Sequence, residues 1–231
     1  MLPVVILAGG QAKRMRPLTQ TVPKVLLPVA NKPFIDWQLK TLRRNGVKHV
    51  ILCLGYLGEQ VERHINKYDY GMNITLSYDG EILLGTGGAI KKAIGATEKA
   101  FFILYGDSYL EINYADVERT WRDAGKLGLM TIYRNDNRWD SSNVVFEGGQ
   151  IVRYSKTDRS DTMCHIDYGL GILSATTFVN FDGSFDLADV YTGLVNRGEL
   201  AGYEVKNRFF EIGSLNGLKE LEEKLQGVNL V

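Results

Sequence analysis

Between Leu7 and Lys24 the chain reads LAGGQAKRMRPLTQTVPK, two glycines followed by Lys13, Arg14, Arg16 and Lys24 with no acid among them. Adjacent glycines let backbone N–H groups approach an anion with no Cβ in the way. Guanidinium and ammonium groups then add charge, and the guanidinium fork matches phosphate oxygens. This is chemistry for a triphosphate or a pyrophosphate. The two common phosphate motifs fail on spacing. A G-x-x-x-x-G-K-[ST] loop needs its second glycine where Arg14 or Met15 stands, and a G-x-G-x-x-G fingerprint needs glycine at Ala12 and Met15.

A carboxylate comes next. Asp107 follows the apolar run Phe101–Tyr105 and Gly106. Alone it would read as a helix cap. Beside a phosphate loop at the same sheet edge it reads as a Mg²⁺ ligand, because this ion takes one or two carboxylates together with phosphate oxygens. His49, His64 and His165 show no metal-ligand spacing, and Cys53 and Cys164 fit none either. No Ser-His-Asp order stands out, and phosphoryl-type transfer needs no covalent intermediate.

The elements that must position these groups alternate through the first half. Val4–Leu7, Val50–Leu54, Ile74–Tyr78 and Phe101–Tyr105 are short apolar runs suited to buried strands. Between them, Ile35, Leu39 and Leu42 share a helical face, with Asn31 ahead of Pro33 as the capping signal and Gly46 past the end. Val61 and Ile65 mark a second helix, and Ala89, Ile90, Ala93 and Ile94 a third. Such alternation implies a mostly parallel sheet with helices on both faces and ligands at the carboxyl ends of its strands. The second half reads as strands at Leu127–Tyr133 and Asp167–Leu173, a hairpin turning at Gly148-Gly149, and helices over 186–197 and 214–225. No linker or repeat divides the chain. One domain over 1–231 is expected, with a half at about 1–110 that carries the phosphate loop and a substrate-side half at about 111–231.

Composition narrows the partners. The 231 residues are 45% hydrophobic and 23% charged, which excludes disordered, collagenous and coiled-coil classes. No apolar run reaches the roughly 18–20 residues of a membrane span. The N-terminus lacks a basic segment ahead of its apolar run, so a reduced, cytoplasmic protein is expected. Basic and acidic residues balance at 27 each, which argues against nucleic-acid or membrane partners. The balance is uneven, since residues 1–35 hold five basic residues and no acid.

The run L-A-G-G-x-x-x-R-M-x-P-L-T followed by P-K-x-L-x-P-V resembles the signature of sugar-1-phosphate nucleotidyltransferases. Leu84–Ala89 (LGTGGA), Tyr105–Asp107 (YGD) and Phe210–Ser214 (FEIGS) follow in the order of that family. The resemblance implies a Rossmann-like three-layer α/β/α sandwich of the nucleotide-diphospho-sugar transferase type. It implies transfer of a nucleoside monophosphate from a nucleoside triphosphate to a sugar 1-phosphate, with Mg²⁺, giving a nucleotide sugar and pyrophosphate. By position, Arg14 and Lys24 would embrace the triphosphate and the incoming phosphate. Asp107 would hold the metal, with Glu211 where relatives commonly carry aspartate. Leu7, Ala8, Gly9, Gly10 and Lys13 would line the nucleotide, Gly85, Thr86 and Gly88 would lie near the base, and Glu81 would be a candidate partner for an amino-bearing base edge. Lys156, Asp167 and Gly169 would serve the sugar phosphate.

The chain also departs from the family. Its first loop has Ala12 and Lys13 where relatives read G-T, and Ser155 and Thr157 flank Lys156 where relatives read E-K-P. It ends soon after the last motif, without room for the β-helix acyltransferase domain of some relatives. Guanylyl transfer from GTP onto a heptose or mannose 1-phosphate, for polysaccharide precursors, is the favoured version. Uridylyl or thymidylyl transfer is an alternative. So is cytidylyl transfer to phosphocholine, which would need an aromatic cage from Trp139, Tyr154 and Tyr168, residues that read better as core and pocket wall. A non-catalytic nucleotide-sugar sensor is the alternative of another class. A homo-oligomer is left open.

Overall fold

The β-branched run Val4–Leu7 is buried on both faces and forms β1 in the parallel half of a nine-stranded sheet. The computed structural model describes residues 1–95 and 99–226; the last five residues of the expected domain, 227–231, lie outside them. After β1 come 3-10 turns at Lys13–Met15 and Lys24–Leu26, a two-strand ribbon of β2 (Pro28–Val29) and β3 (Lys32–Pro33), and α1 (Phe34–Arg44). Then follow β4 (His49–Leu54), α2 (Gly58–Ile65), β5 (Asn73–Tyr78), α3 (Gly85–Ile94), β6 (Ala100–Tyr105), β7 (Ser108–Tyr109) and α4 (Tyr114–Ala124). The second half contains β8 (Gly128–Arg134), β9 (Val144–Glu147), β10 (Gln150–Tyr154), β11 (His165–Ser174), α5 (Leu187–Asn196), β12 (Leu200–Val205), β13 (Phe210–Glu211) and α6 (Leu215–Leu225).

The large sheet has the order β5-β4-β1-β6-β11-β8-β12-β10-β9. Only β11 and β10 run against the rest, so the sheet is mixed but mostly parallel. Alternation along β1 sorts the two faces. Val4 and Ile6 pack with Ile35 and Leu39 of α1 and Val61 of α2, whereas Val5 packs with Ile90 of α3 and Val190 of α5. These are the three layers expected. Truncating any one of the large buried aliphatic side chains to alanine costs about 2–5 kcal/mol. A third cluster seats α6 on Phe34 and Trp37 of α1 and on Tyr109 of β7. Among the described residues no helix is long and apolar enough to cross a membrane.

The capping signal at Asn31 is corrected. Ala30 and Asn31 form the left-handed turn between β2 and β3, with φ of 46° and 64°. Helix α1 therefore starts later, at Phe34, with Pro33 ahead of it and no side-chain cap. The Phe34 N–H is satisfied instead by the Leu27 carbonyl at 3.0 Å.

Candidate active site

The ends of β1 and β6 meet because Gly106 has no side chain. A Cβ there would stand 2.3 Å from the Leu7 carbonyl oxygen, and in its place the Gly106 N–H donates to that oxygen at 3.1 Å. Above this junction lies a cavity of about 840 Å³ at the carboxyl ends of the parallel strands. It is lined by Leu7, Ala8, Gly9 and Gly10 from the first loop, with Arg14 and Lys24 beyond them. Asp107, Glu211, Gly85 and Thr86 share it, as do Lys156, Asp167 and Gly169. Residues spread over two hundred positions of sequence thus share one space.

Arg14 is carried on a 3-10 turn anchored by buried Met15. Ala12 opens that turn in the left-handed conformation (φ 46°), and its carbonyl accepts both the Met15 N–H and the Thr19 hydroxyl at 2.9 Å. The exposed Arg14 guanidinium has no ion-pair or hydrogen-bond partner among the described residues. Lys13 is exposed on the same turn but does not line the cavity, because a short 3-10 turn cannot present both side chains to one side.

Lys24 Nζ contacts Asp107 Oδ2 at 2.7 Å. Asp107 is held from below by Gln38, a buried residue of α1 whose Nε2 donates to the carbonyls of Tyr105 at 3.0 Å and Ser108 at 2.8 Å. Beside it, β7 and β13 pair antiparallel with Glu211 opposite Ser108, and the Ile212 N–H donates to the Asp107 carbonyl at 3.0 Å. The Glu211 carboxylate bends toward the start of α6, where the Gly213 N–H and the Ser214 hydroxyl donate to it. Glu211 Oε2 and Asp107 Oδ2 lie 2.6 and 3.4 Å from the point where a Cβ on Gly213 would stand, so the two carboxylates flank one small space. This donor set fits Mg²⁺, a hard ion that takes few protein carboxylates and completes its shell with phosphate oxygens and water. Asp107 fits it directly. Glu211 reaches it less freely, because both of its oxygens already accept hydrogen bonds.

At the second-half wall of the cavity, Asp167 accepts the Tyr105 hydroxyl at 2.8 Å and the Gly169 N–H at 3.0 Å. Burial nevertheless pushes its carboxyl above the usual carboxylate range. Lys156 sits 3.4 Å from Asp186 Oδ1 and 5.7 Å from the centre of the Tyr105 ring. Asp186 caps α5 through the Ala188 N–H. Although its own burial pushes the other way, that bond and the Lys156 charge hold its carboxyl below the usual range.

Two nucleotide-side expectations are corrected. Glu81 is exposed and lies outside the cavity lining; the carboxylate that lines it is Asp79, at the end of β5. Asp79 accepts the Leu84 N–H at 3.3 Å, and burial raises its carboxyl above the usual range. Gly88 does not line the cavity; it lies within α3 against the segment at Gly183, where a Cβ would stand 2.8 Å from the Gly183 carbonyl oxygen. The Gly87 and Gly88 amides are taken by the Phe185 carbonyl, at 3.0 and 3.4 Å. This leaves Gly85 and Thr86 to face the ligand space.

Trp139, Tyr154 and Tyr168 are core and cavity wall rather than a cage. Tyr154 is buried against Tyr191 of α5, Tyr168 is buried against Tyr133 and Phe209, and Trp139, 45% exposed in the cavity wall, has the Arg208 guanidinium over one face, with Cζ 3.4 Å from the ring centre. Sequence reading also missed Asp79, Gln38 and Arg159, an exposed cation lining the cavity. Arg159, three residues past Lys156, was the one among them that proximity to a motif could have flagged.

Comparison with known proteins gives the family of the chain. The family model described as "Nucleotidyl transferase" matches residues 3–149, and the chain belongs to that family. It is 28% identical over 217 residues to a mannose-1-phosphate guanyltransferase beta-A of Xenopus laevis, covering 90% of this chain and 60% of that protein. The chain thus spans 60% of the length of such relatives. It is 30% identical over 178 residues to a D-glycero-alpha-D-manno-heptose 1-phosphate guanylyltransferase of Campylobacter jejuni, covering 77% of this chain and 78% of that one. In fold it matches HddC from Yersinia pseudotuberculosis, solved in complex with GMP-PN, with a TM-score of 0.81 at 24% identity over 97% of this chain and 100% of that one.

Proposed function

We propose that the chain transfers GMP from GTP to a sugar 1-phosphate, giving a GDP-sugar and pyrophosphate. One observation carries the reading: the glycine pair, Arg14 and the Lys24–Asp107 pair open into the same cavity as Lys156 and Asp167. A phosphate-binding loop and a second site carrying cation and carboxylate share one space, as a two-substrate transfer requires.

In this reading the Gly9 and Gly10 backbone and Arg14 bind the triphosphate, and Lys156 binds the sugar phosphate. Asp167, held by Tyr105 and Gly169, accepts a sugar hydroxyl. A sugar-phosphate oxygen attacks the α-phosphorus, a new P–O bond forms there, and the bond to the bridging oxygen of the β-phosphate breaks. Pyrophosphate leaves with that electron pair, so the step needs no general base. Arg14 and Lys24 offset the repulsion between the two anions and the charge that grows on the leaving group. Mg²⁺, held by Asp107 and reached by Glu211, would supply further charge neutralisation at the phosphates.

Asp79 supports guanine. A carboxylate at the base end can accept from the N1–H and the 2-amino group together, a pair of donors that guanine alone among the common bases presents side by side. The guanylyltransferases among the relatives support it too, and their names favour mannose or a manno-heptose as the sugar.

The test is pyrophosphate release with Mg²⁺, five nucleoside triphosphates being run against a panel of sugar 1-phosphates and phosphocholine. Release with GTP and a mannose or heptose 1-phosphate is expected. Nucleotide-sugar binding with no release for any pair would overturn transfer and leave a sensor.

A further inference from the structure

Four cations line the cavity, and they fall into two matched pairs. Arg14 and Lys24 come from the loops after β1, Lys156 and Arg159 from the segment after β10. In each pair the lysine is engaged by an aspartate, Lys24 by Asp107 at 2.7 Å and Lys156 by Asp186 at 3.4 Å. In each pair the arginine is exposed and has no ion-pair or hydrogen-bond partner among the described residues. In the proposed reaction Arg14 binds the triphosphate. Arg159 has no task there.

The loop that carries Arg159 is braced on both sides of it. Ser155 Oγ accepts the Thr157 and Asp158 N–H groups at 3.3 and 2.9 Å, and Arg153 Nη2 bonds Asp158 Oδ2 at 2.6 Å. On the far side, the N–H of buried Met163 donates to the Ser160 carbonyl at 3.0 Å. Asp158 therefore spends its charge on Arg153 and leaves the neighbouring guanidinium free. An unpaired guanidinium on a braced loop is a preorganised group for an anion.

The charge of this wall gives Arg159 a reason to be there. Asp140 and Asp167 line the cavity on the same side, and Lys156 shares its charge with Asp186. With Lys156 as the sole cation, a phosphate dianion would meet more negative charge than positive. Geometry adds a second reason. Attack on the α-phosphorus needs one terminal oxygen of the sugar phosphate free, so the other two must be held. A planar guanidinium binds two phosphate oxygens at once, as a point-charge ammonium does not.

We propose that Arg159 is a substrate-binding residue that grips two terminal oxygens of the sugar 1-phosphate, while Lys156 adds a second charge and the third oxygen stays free to attack. The assignment rests on the transfer reading for its substrate, and it names a further residue of this chain that fixes the attacking phosphate.

Two measurements on the full chain test it. The first is calorimetric titration with mannose 1-phosphate and glucose 1-phosphate, each alone and beside Mg²⁺ and the uncleavable α,β-methylene GTP. The wild type should bind at least one of them, and Arg159→Ala should weaken it about 10–100-fold, the scale of losing a charged hydrogen-bonding partner. Arg159→Lys should recover only part of that loss, because it returns the charge without the fork. The affinity for α,β-methylene GTP should stay within about twofold in both variants, since Arg14 holds the triphosphate. Arg159 is exposed, so the melting temperature should not move. The second measurement is pyrophosphate release, in which the KM for the sugar phosphate should rise in Arg159→Ala by the same factor while that for GTP stays near wild type.

A wild type that binds neither sugar phosphate overturns the proposal. So does an Arg159→Ala protein that binds them as tightly as the wild type, or one whose loss falls on the nucleotide. Transfer that ignores Arg159 overturns this assignment and leaves the transfer reading standing. Arg159-dependent binding with no pyrophosphate released supports the phosphate site and counts against transfer instead.

Discussion

Lys24 Nζ and Asp107 Oδ2 stand 2.7 Å apart although 83 residues separate them in the chain. One comes from a 3-10 turn after Pro23 and the other from the end of β6, so their meeting depends on the whole parallel half of the sheet. Both side chains keep some exposure, 18% and 31%, so the pair adds little to stability. In the proposed reaction Lys24 turns to a phosphate while Asp107 turns to a cation.

Replacement of Asp107 by asparagine keeps the shape and removes the charge. Pyrophosphate release by Asp107→Asn should fall about 10²–10³-fold, the scale of losing one preorganised charged group. The melting temperature should stay within about 2 °C of the wild type. Full activity in the variant would remove Asp107 from the mechanism.

Gln38 acts one layer below. Its amide bonds two carbonyls of the turn that carries Asp107, and it is buried. Gln38→Leu should cost about 1–3 kcal/mol by leaving those carbonyls unpaired, a fall of several degrees in melting temperature. Turnover should drop with it while the KM for the nucleotide changes little, since Gln38 touches no ligand space. A variant of wild-type stability and turnover would show that the turn holds itself.

How much of this could be read beforehand depended on whether the signal was local. The buried strands β1, β4 and β6 are unbroken apolar runs, and α1 and α2 show helical spacing, so the parallel half was legible. Helix α4 was not. Its inner face carries Glu118, buried and satisfied by the Leu2 N–H at 3.0 Å and by Arg122, and an acid on that face spoils the apolar pattern. Strand β12 hid for a similar reason, with Gly202 and Glu204 in its middle. In the candidate site, the glycine pair, Arg14, Lys24 and Asp107 sit in recognisable runs. Gln38 is a helix residue whose partners lie 67 and 70 positions away, and Asp79 differs from Glu81 only in which of two neighbouring acids turns inward. Chain direction at that turn is decided by tertiary packing, which residue types do not record.

Asp167 and Asp186 should show opposite pH linkage. Asp167 has its carboxyl raised, chiefly by burial, so its contribution to stability is full below the ordinary carboxylate range and is lost as pH rises through the raised value. Asp186 has its carboxyl lowered, so its contribution is present above that range and is lost as pH falls through the depressed value. Melting temperatures of Asp167→Asn and Asp186→Asn, each compared with wild type across acid pH, should therefore diverge. As pH rises, the first variant gains on the wild type and the second falls behind it. Asparagine caps a helix about as well as aspartate, so the Asp186→Asn difference reports the charge. Parallel curves for both variants would contradict these environments.

Arg208 joins two parts of the cavity wall that the chain does not join. Its guanidinium carbon lies 3.4 Å from the centre of Trp139 and 4.5 Å from that of Phe210, and its Nη2 bonds Glu220 at 2.6 Å. Trp139 opens the segment whose Asp140, Ser141 and Asn143 line the cavity, and Phe210 precedes Glu211. The stack therefore fixes one wall relative to the carboxylate beside Asp107. Flatness matters as much as charge, because a tetrahedral ammonium cannot stack on a ring as a planar guanidinium does. Arg208→Lys should consequently behave like Arg208→Ala, raising the KM for the sugar phosphate about tenfold while leaving that for the nucleoside triphosphate near wild type. Recovery by lysine would show that charge alone suffices there. A rise in the nucleotide KM instead would place the effect on the other side of the cavity, where Arg208 makes no contact.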